Sequence, residues 1–219
     1  MSQYSIVFNN QSQNDWTFCC FQQDEDLKVS GVMSLAWFTK RCDTNSSCTF
    51  TWSIDYSFVW AETGTLTPGV TFAASQTIPA DLKSNNLITL DYDGAFHFGT
   101  LGTGTPQGSL YIEQTNNIPP NKGAVGIGMS HAGTFVVQAQ SNIDVTFTPH
   151  PTYYVAFGEF QQGEVLDEQQ MTLGAKVEFE PNVYVMYATL DAGNRWNISA
   201  TPPALAKDKS GSARKSLAI

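Results

Sequence analysis

The sequence predicts an all-β fold, an antiparallel β-sandwich of the Ig-like or jelly-roll-like kind. Apolar and polar residues alternate with a period of two along most of the chain, which is the pattern of half-buried strands. Turn residues break that alternation into short runs, roughly every 8–12 residues. Helical periodicity is nearly absent, and the stretch Glu164–Gln170 is the only fair helix candidate. The clearest alternation is 49–60, TFTWSIDYSFVW, where Phe50, Trp52, Ile54, Tyr56, Phe58 and Trp60 share one parity.

Taken in order, Tyr4–Phe8 reads as a strand, NNQSQND as a turn and Trp16–Phe21 as a second strand. Val29–Thr39 reads as a strand with a bulge at Gly31. Drawn straight, 49–60 would reach roughly 40 Å, about twice a usual strand, so a bend is expected near Ser53–Asp55. TGTLTPG and AASQTIPADLKSNN, punctuated by Pro68 and Pro79, read as loops. LITLDYDGAFHFG is a hairpin turning at Asp93-Gly94. After the Gly/Thr loop GTLGTGTPQG come strands SLYIEQ, AVGIGM, GTFVVQAQ and NIDVTFTP. Tyr153–Phe160, Met171–Phe179, Val183–Leu190 and Trp196–Ala200 complete the set. The expected organisation is one domain over residues 1–200 and a mobile basic tail over 201–219, where TPPALAKDKSGSARKSLAI loses the alternation.

Residues 6–23 align with 145–162 at a constant offset of 139, placing Phe8 on Phe147, Phe18 on Phe157 and FQQ on FQQ. With one 12-residue deletion, 50–60 falls on 177–187. This suggests repeat halves over 1–75 and 140–200 around a hairpin-rich centre at 76–139. Aromatics exchange for aliphatics between the two copies, so the pattern preserves burial rather than particular rings. An inner sheet face is therefore the expected role of Phe50, Trp52, Phe58 and Trp60.

Composition narrows function. The net charge is −9, but the segment 205–219 is basic, leaving 7 basic and 19 acidic groups, or −12, in the first 204 residues. An acidic body repels phosphate backbones and anionic lipid, so neither nucleic acid nor a membrane surface is an expected partner. No apolar run is long enough to span a membrane, and MSQYSIVFNN lacks the features of a secretory signal. A cytoplasmic protein with free thiols at Cys19, Cys20, Cys42 and Cys48 is the expectation. The cysteine spacing matches no zinc pattern, and no spacing couples His97, His131 and His150. The segment beginning at Asp91-Tyr92-Asp93-Gly94 lacks the later ligands of a calcium loop, and the glycine-rich loops fail the dinucleotide and phosphate-loop patterns. No metal, cofactor or catalytic residue is expected.

Two polar-flanked tryptophans remain. Trp16 follows Asn14 and Asp15, and Trp196 lies among Asn194, Arg195 and Asn197. An aromatic ring that stacks on a sugar, with amides around its hydroxyls, is the chemistry of a carbohydrate-binding module. Three segments then carry a resemblance: YSIVFNNQSQNDWTFCCFQQ, TFTWSIDYSFVWAETG and PTYYVAFGEFQQGEVLD. With them the chain resembles the RhiA family of bacterial rhizosphere-expressed proteins, a group close in kind to the PixA and AidA inclusion-body proteins. The resemblance spans roughly residues 3–200. It implies an abundant, cytoplasmic, quorum-regulated protein of host or rhizosphere association, with no catalytic residues to carry over. The expectation is thus a non-enzymatic β protein that self-associates as a homo-oligomer. A carbohydrate-binding module and a membrane-active toxin are the alternatives.

Overall fold

The alternating runs do form strands. The computed structural model describes residues 3–23, 30–172 and 174–203. Of the expected tail only 201–203 fall among them; 204–219, like the acidic 24–26 and Val29, lie outside the described residues. In chain order the strands begin with β1 (Gln3–Asn10), β2 (Trp16–Gln23), β3 (Met33–Ser34), β4 (Phe38–Cys42), β5 (Ser47–Ser53) and β6 (Tyr56–Ala61). They continue through β7 (Gln76–Ala80), β8 (Leu87–Tyr92), β9 (Phe96–Phe98), β10 (Leu110–Gln114), β11 (Ala124–Met129) and β12 (Ala132–Gln138). Then come β13 (Val145–Phe147), β14 (Thr152–Gly158), the helix α1 (Glu168–Thr172), β15 (Ala175–Val177), β16 (Val185–Leu190) and β17 (Trp196–Ser199).

These strands make four sheets, ordered β17-β16-β1-β5, β15-β14-β2-β4, β3-β12-β11-β6-β7 and β13-β10-β8-β9. Pairing is antiparallel except for β1 with β16 and β8 with β10. The first and second sheets close on one core, with Ile6, Phe8, Phe18, Phe50, Trp52, Tyr153, Val155 and Met186 inside. The third and fourth sheets close on another, around Phe58, Trp60, Ile88, Leu90, Leu110, Ile127, Phe135 and Phe147. The two segments that align in sequence contribute to both cores. Phe18 and Phe157 stand directly opposite each other in the β2–β14 pair, whereas β1 and β13 lie in different sheets.

The run 49–60 therefore bends where expected, and the bend changes sheets. β5 supplies Phe50 and Trp52 to the first core, and β6 supplies Phe58 and Trp60 to the second. Ser130 holds the bend. Its Oγ accepts from the Ser53 amide at 2.9 Å and donates to the Ser53 carbonyl at 3.1 Å, and its amide donates to Asp55 Oδ1 at 2.9 Å. Ser130 and His131 have φ of 49° and 65°, the left-handed pair that a two-residue hairpin loop between β11 and β12 requires. Trp37 is wholly buried in the first core and ties it to the third sheet, donating from Nε1 to the carbonyl of Met129 at the end of β11, 2.9 Å away.

Three elements differ from the sequence expectation. The strand expected over 29–39 is split, with β3 and β4 in different sheets. Gly31, at φ 76°, sits in a turn before β3 rather than in a bulge. Residues 76–80, expected as loop, form edge strand β7, where Pro79 needs no donor on its free side. Most of the strand expected over 171–179 is replaced by the end of α1 and the three-residue β15. A reciprocal cap starts α1: the Gln170 amide donates to Asp167 Oδ1 at 2.6 Å and the Asp167 amide to Gln170 Oε1 at 2.9 Å.

Candidate functional site

At the end of the first core where β1 finishes and β2 begins, the two polar-flanked tryptophans come together. Trp16 opens β2 on its core-facing side and remains 43% exposed. Trp196 opens β17, which pairs with β16, and is half-buried against the first core. Two rings join them. Trp16 lies 5.7 Å from Phe157 between centroids, Phe157 is 4.4 Å from Phe18, and Phe18 is 5.8 Å from Trp196. The result is a chain of aromatic rings between two sheets, exposed at Trp16 and wholly buried at Phe18.

The polar neighbours arrive on two loops. Asn14 Nδ2 donates to Asn194 Oδ1 at 3.4 Å, bridging segments 180 residues apart in sequence. The first loop is built on Asn10, which is completely buried. Its Nδ2 donates to the carbonyls of Asn14 (2.8 Å) and Cys42 (2.9 Å), and its Oδ1 accepts from the amide and hydroxyl of Ser12. The second loop is built on Asp191, whose Oδ1 accepts from the amides of Gly193 (2.8 Å) and Arg195 (2.9 Å). The Arg195 amide bond leads the contributions that hold the Asp191 carboxyl below its ordinary pKa. Asn194 takes a φ of 58°, a left-handed conformation that asparagine tolerates. Arg195 is fully at the surface, with Nε 3.3 Å from Asp191 Oδ2.

Two of the expected site residues point elsewhere. Asp15 holds the neighbouring turn: Oδ1 accepts from the Thr44 amide at 2.7 Å, and that bond draws its pKa down. Asn197 lines the outward side of the first sheet, in a polar trough of about 330 Å³ with Tyr187, Thr189 and Gln11. Phe18, Phe157, Asn10 and Asp191 belong to the site although the sequence reading gave them no functional part. Phe18 and Phe157 were visible in the repeat, where they read as core.

The remaining chemistry is dispersed. His97 lies on β9, its Nδ1 3.6 Å from Asp93 Oδ1 and its Nε2 4.0 Å from Asp91 Oδ2. His131 occupies the β11–β12 turn, and His150 precedes β14 beside an open cleft of about 710 Å³ at the opposite end of the first core. Among the described residues no group of three or more His, Cys, Asp or Glu is placed to hold a metal ion. All four cysteines are buried and free; adjacent Cys19 and Cys20 face opposite sides of β2. No described helix is long and apolar enough to cross a membrane.

Comparison with known proteins gives one consistent result. A family model described as RhiA matches residues 1–201. Protein RhiA of Rhizobium leguminosarum bv. viciae is 37% identical over 201 residues, covering 90% of this chain and 87% of that protein. No solved structure matches.

Proposed function

The chain belongs to the RhiA family, and on that premise we propose a non-enzymatic, cytoplasmic β protein of bacterial host or rhizosphere association that binds saccharide. One observation carries the binding reading: two tryptophan-and-amide clusters, far apart in sequence, converge on one exposed end of the first core. Exposed Trp16 offers a ring face for the C–H side of a sugar. Asn14 and Asn194, bonded to each other, and neighbouring Arg195 bring amide and guanidinium donors and amide acceptors to the same end of the core, groups that suit hydroxyls. Four buried thiols without a disulfide support folding in a reducing compartment. The test compares Trp16→Ala with Trp196→Ala in saccharide titrations alongside urea unfolding. Lost binding by a Trp16→Ala protein of near-normal stability supports the reading. Unchanged saccharide binding by both variants contradicts it.

A second property, self-association, has its own support. Ile54, Tyr184 and Val185, 45%, 41% and 40% exposed, lie near one another at the start of β1, where Tyr184 packs on Tyr4, Ile54 shares a cleft with Tyr4 and Val185 pairs with Ser5. Sedimentation of the full chain at rising concentration tests it: a strict monomer throughout contradicts self-association.

A further inference from the structure

We propose that the open cleft at the end of the first core opposite Trp16 binds a small organic cation, an alkylated ammonium group. The cleft has a volume of about 710 Å³, within the range of small-molecule sites. It forms where the first core runs out. Tyr4 has the inward parity of Ile6 and Phe8 but stands near the start of β1. Tyr153 and Val177, paired across β14 and β15, reach the same end. The chain then turns away through a loop in which the Val183 amide donates to the Glu180 carbonyl at 3.0 Å and Asn182 takes a φ of 65°. Phe179, just before that loop, stands nearly at right angles to three rings. They are Tyr4 at 5.2 Å between centroids, Tyr153 at 5.8 Å and the buried Trp52 at 5.7 Å. Tyr4, Tyr153 and Phe179 all line the cleft, so ring surfaces set in more than one plane bound a single space.

Charge selects the ligand. His150, Lys176, Glu178 and Glu180 border the cleft. Lys176 Nζ lies 2.7 Å from Glu178 Oε1, so these two neutralise each other. His150 turns Nδ1 toward the Thr148 carbonyl, 3.2 Å away. With His150 neutral, the Glu180 carboxylate sets the net charge of the cleft, on a body that carries −12 over its first 204 residues. Such a body concentrates cations near its surface and repels anions. Ring faces attract a cation through their quadrupoles, and a weakly hydrated organic cation gives up its water most readily. Ile54, Pro149 and Pro151 offer apolar contact to its methyl groups. A metal ion, which holds its water tightly, is poorly served by rings and one carboxylate. A saccharide is poorly served too, for among the described residues lining the cleft there is no Asn or Gln. The cleft thus differs from the Trp16 end in both place and chemistry. Ile54 lies in it and Tyr184 packs 5.5 Å from Tyr4, so self-association through this end would compete with the ligand.

The probe is choline, titrated into the dilute full chain at matched ionic strength and followed by tryptophan fluorescence and thermal shift. Its carbon isostere dimethylbutanol has the same shape without the charge. The expected result is saturable choline binding, about ten-fold tighter than that of dimethylbutanol. Phe179→Leu removes one ring and weakens choline by about five-fold. Glu180→Gln weakens it by about two- to three-fold. Glu180 is exposed, so this second variant carries the test even where Phe179→Leu loosens the fold. Trp16→Ala leaves choline binding unchanged, which lets this proposal and the saccharide reading fail separately. Equal binding of choline and dimethylbutanol overturns the proposal, as does the absence of choline binding. Choline binding that is indifferent to both cleft substitutions, or lost in Trp16→Ala, overturns it as well.

Discussion

Asn10 is the residue on which the Trp16 loop is assembled, and its side chain uses donor and acceptor atoms together. Replacing it by alanine leaves two backbone carbonyls and a buried amide without partners, an expected loss of about 2–4 kcal/mol. Urea unfolding measures it, and a loss of less than about 1 kcal/mol contradicts this role. The cysteines give a second residue-scale prediction. Burial raises the thiols of Cys19, Cys20 and Cys48, the last to about 12. The unfolded chain releases these protons near the ordinary thiol pKa while the folded chain keeps them, so above that point the unfolded state binds fewer protons. The stabilisation is complete below about pH 9 and declines as pH rises toward about 12. Melting temperature should fall through that window, and a flat profile would contradict the burial of the thiols. Little of this was legible in sequence. Asn10 reads as one more turn residue in NNQSQND, because a side chain that organises a loop from inside looks the same as one that faces water. The tryptophans were legible because polar flanks are unusual beside a core ring.

At the scale of elements, alternation identified most strands, and the bend at 53–55 followed from length alone. What failed were segments whose form is decided by distant partners. β7 pairs with β6 despite Pro79, since an edge strand needs donors on one side only. The helix candidate over Glu164–Gln170 was legible and α1 overlaps it, but the D-x-x-Q cap carries the helix on to Thr172, into the strand expected from Met171. The third sheet supplies the sharpest element-scale prediction. Gly126 lies in β11 between β12 and β6, and a Cβ there would stand 2.0 Å from the Phe135 carbonyl oxygen. Gly126→Ala should therefore cost about 2–3 kcal/mol as the strands are forced apart. Gly99→Ala, where a Cβ meets its nearest neighbours at 3.7 Å, should stay within about 0.5 kcal/mol. Equal losses for the two by urea unfolding would contradict the close approach in β11.

For the whole molecule, the all-β class was legible, and so was the inward-facing role of the aromatic run. The division into two cores was not, because one continuous alternating run feeds both and the change of sheet at Ser53–Asp55 leaves the period intact. The parallel pair of β1 with β16 was equally hidden, since it joins strands from opposite ends of the chain. That same long-range closure makes the candidate site: pairing β17 to β16, and β16 to β1, carries Asn194 and Trp196 to Asn14 and Phe18. The most direct measurement is a thermal-shift screen of the wild-type chain and Trp16→Ala against a panel of saccharides. A saccharide present at about 100 times its dissociation constant adds roughly 2.7 kcal/mol to the folded state. The account predicts at least one saccharide that raises the wild-type melting temperature and leaves Trp16→Ala unmoved. A shift of equal size in both proteins, or none with any saccharide, would contradict it.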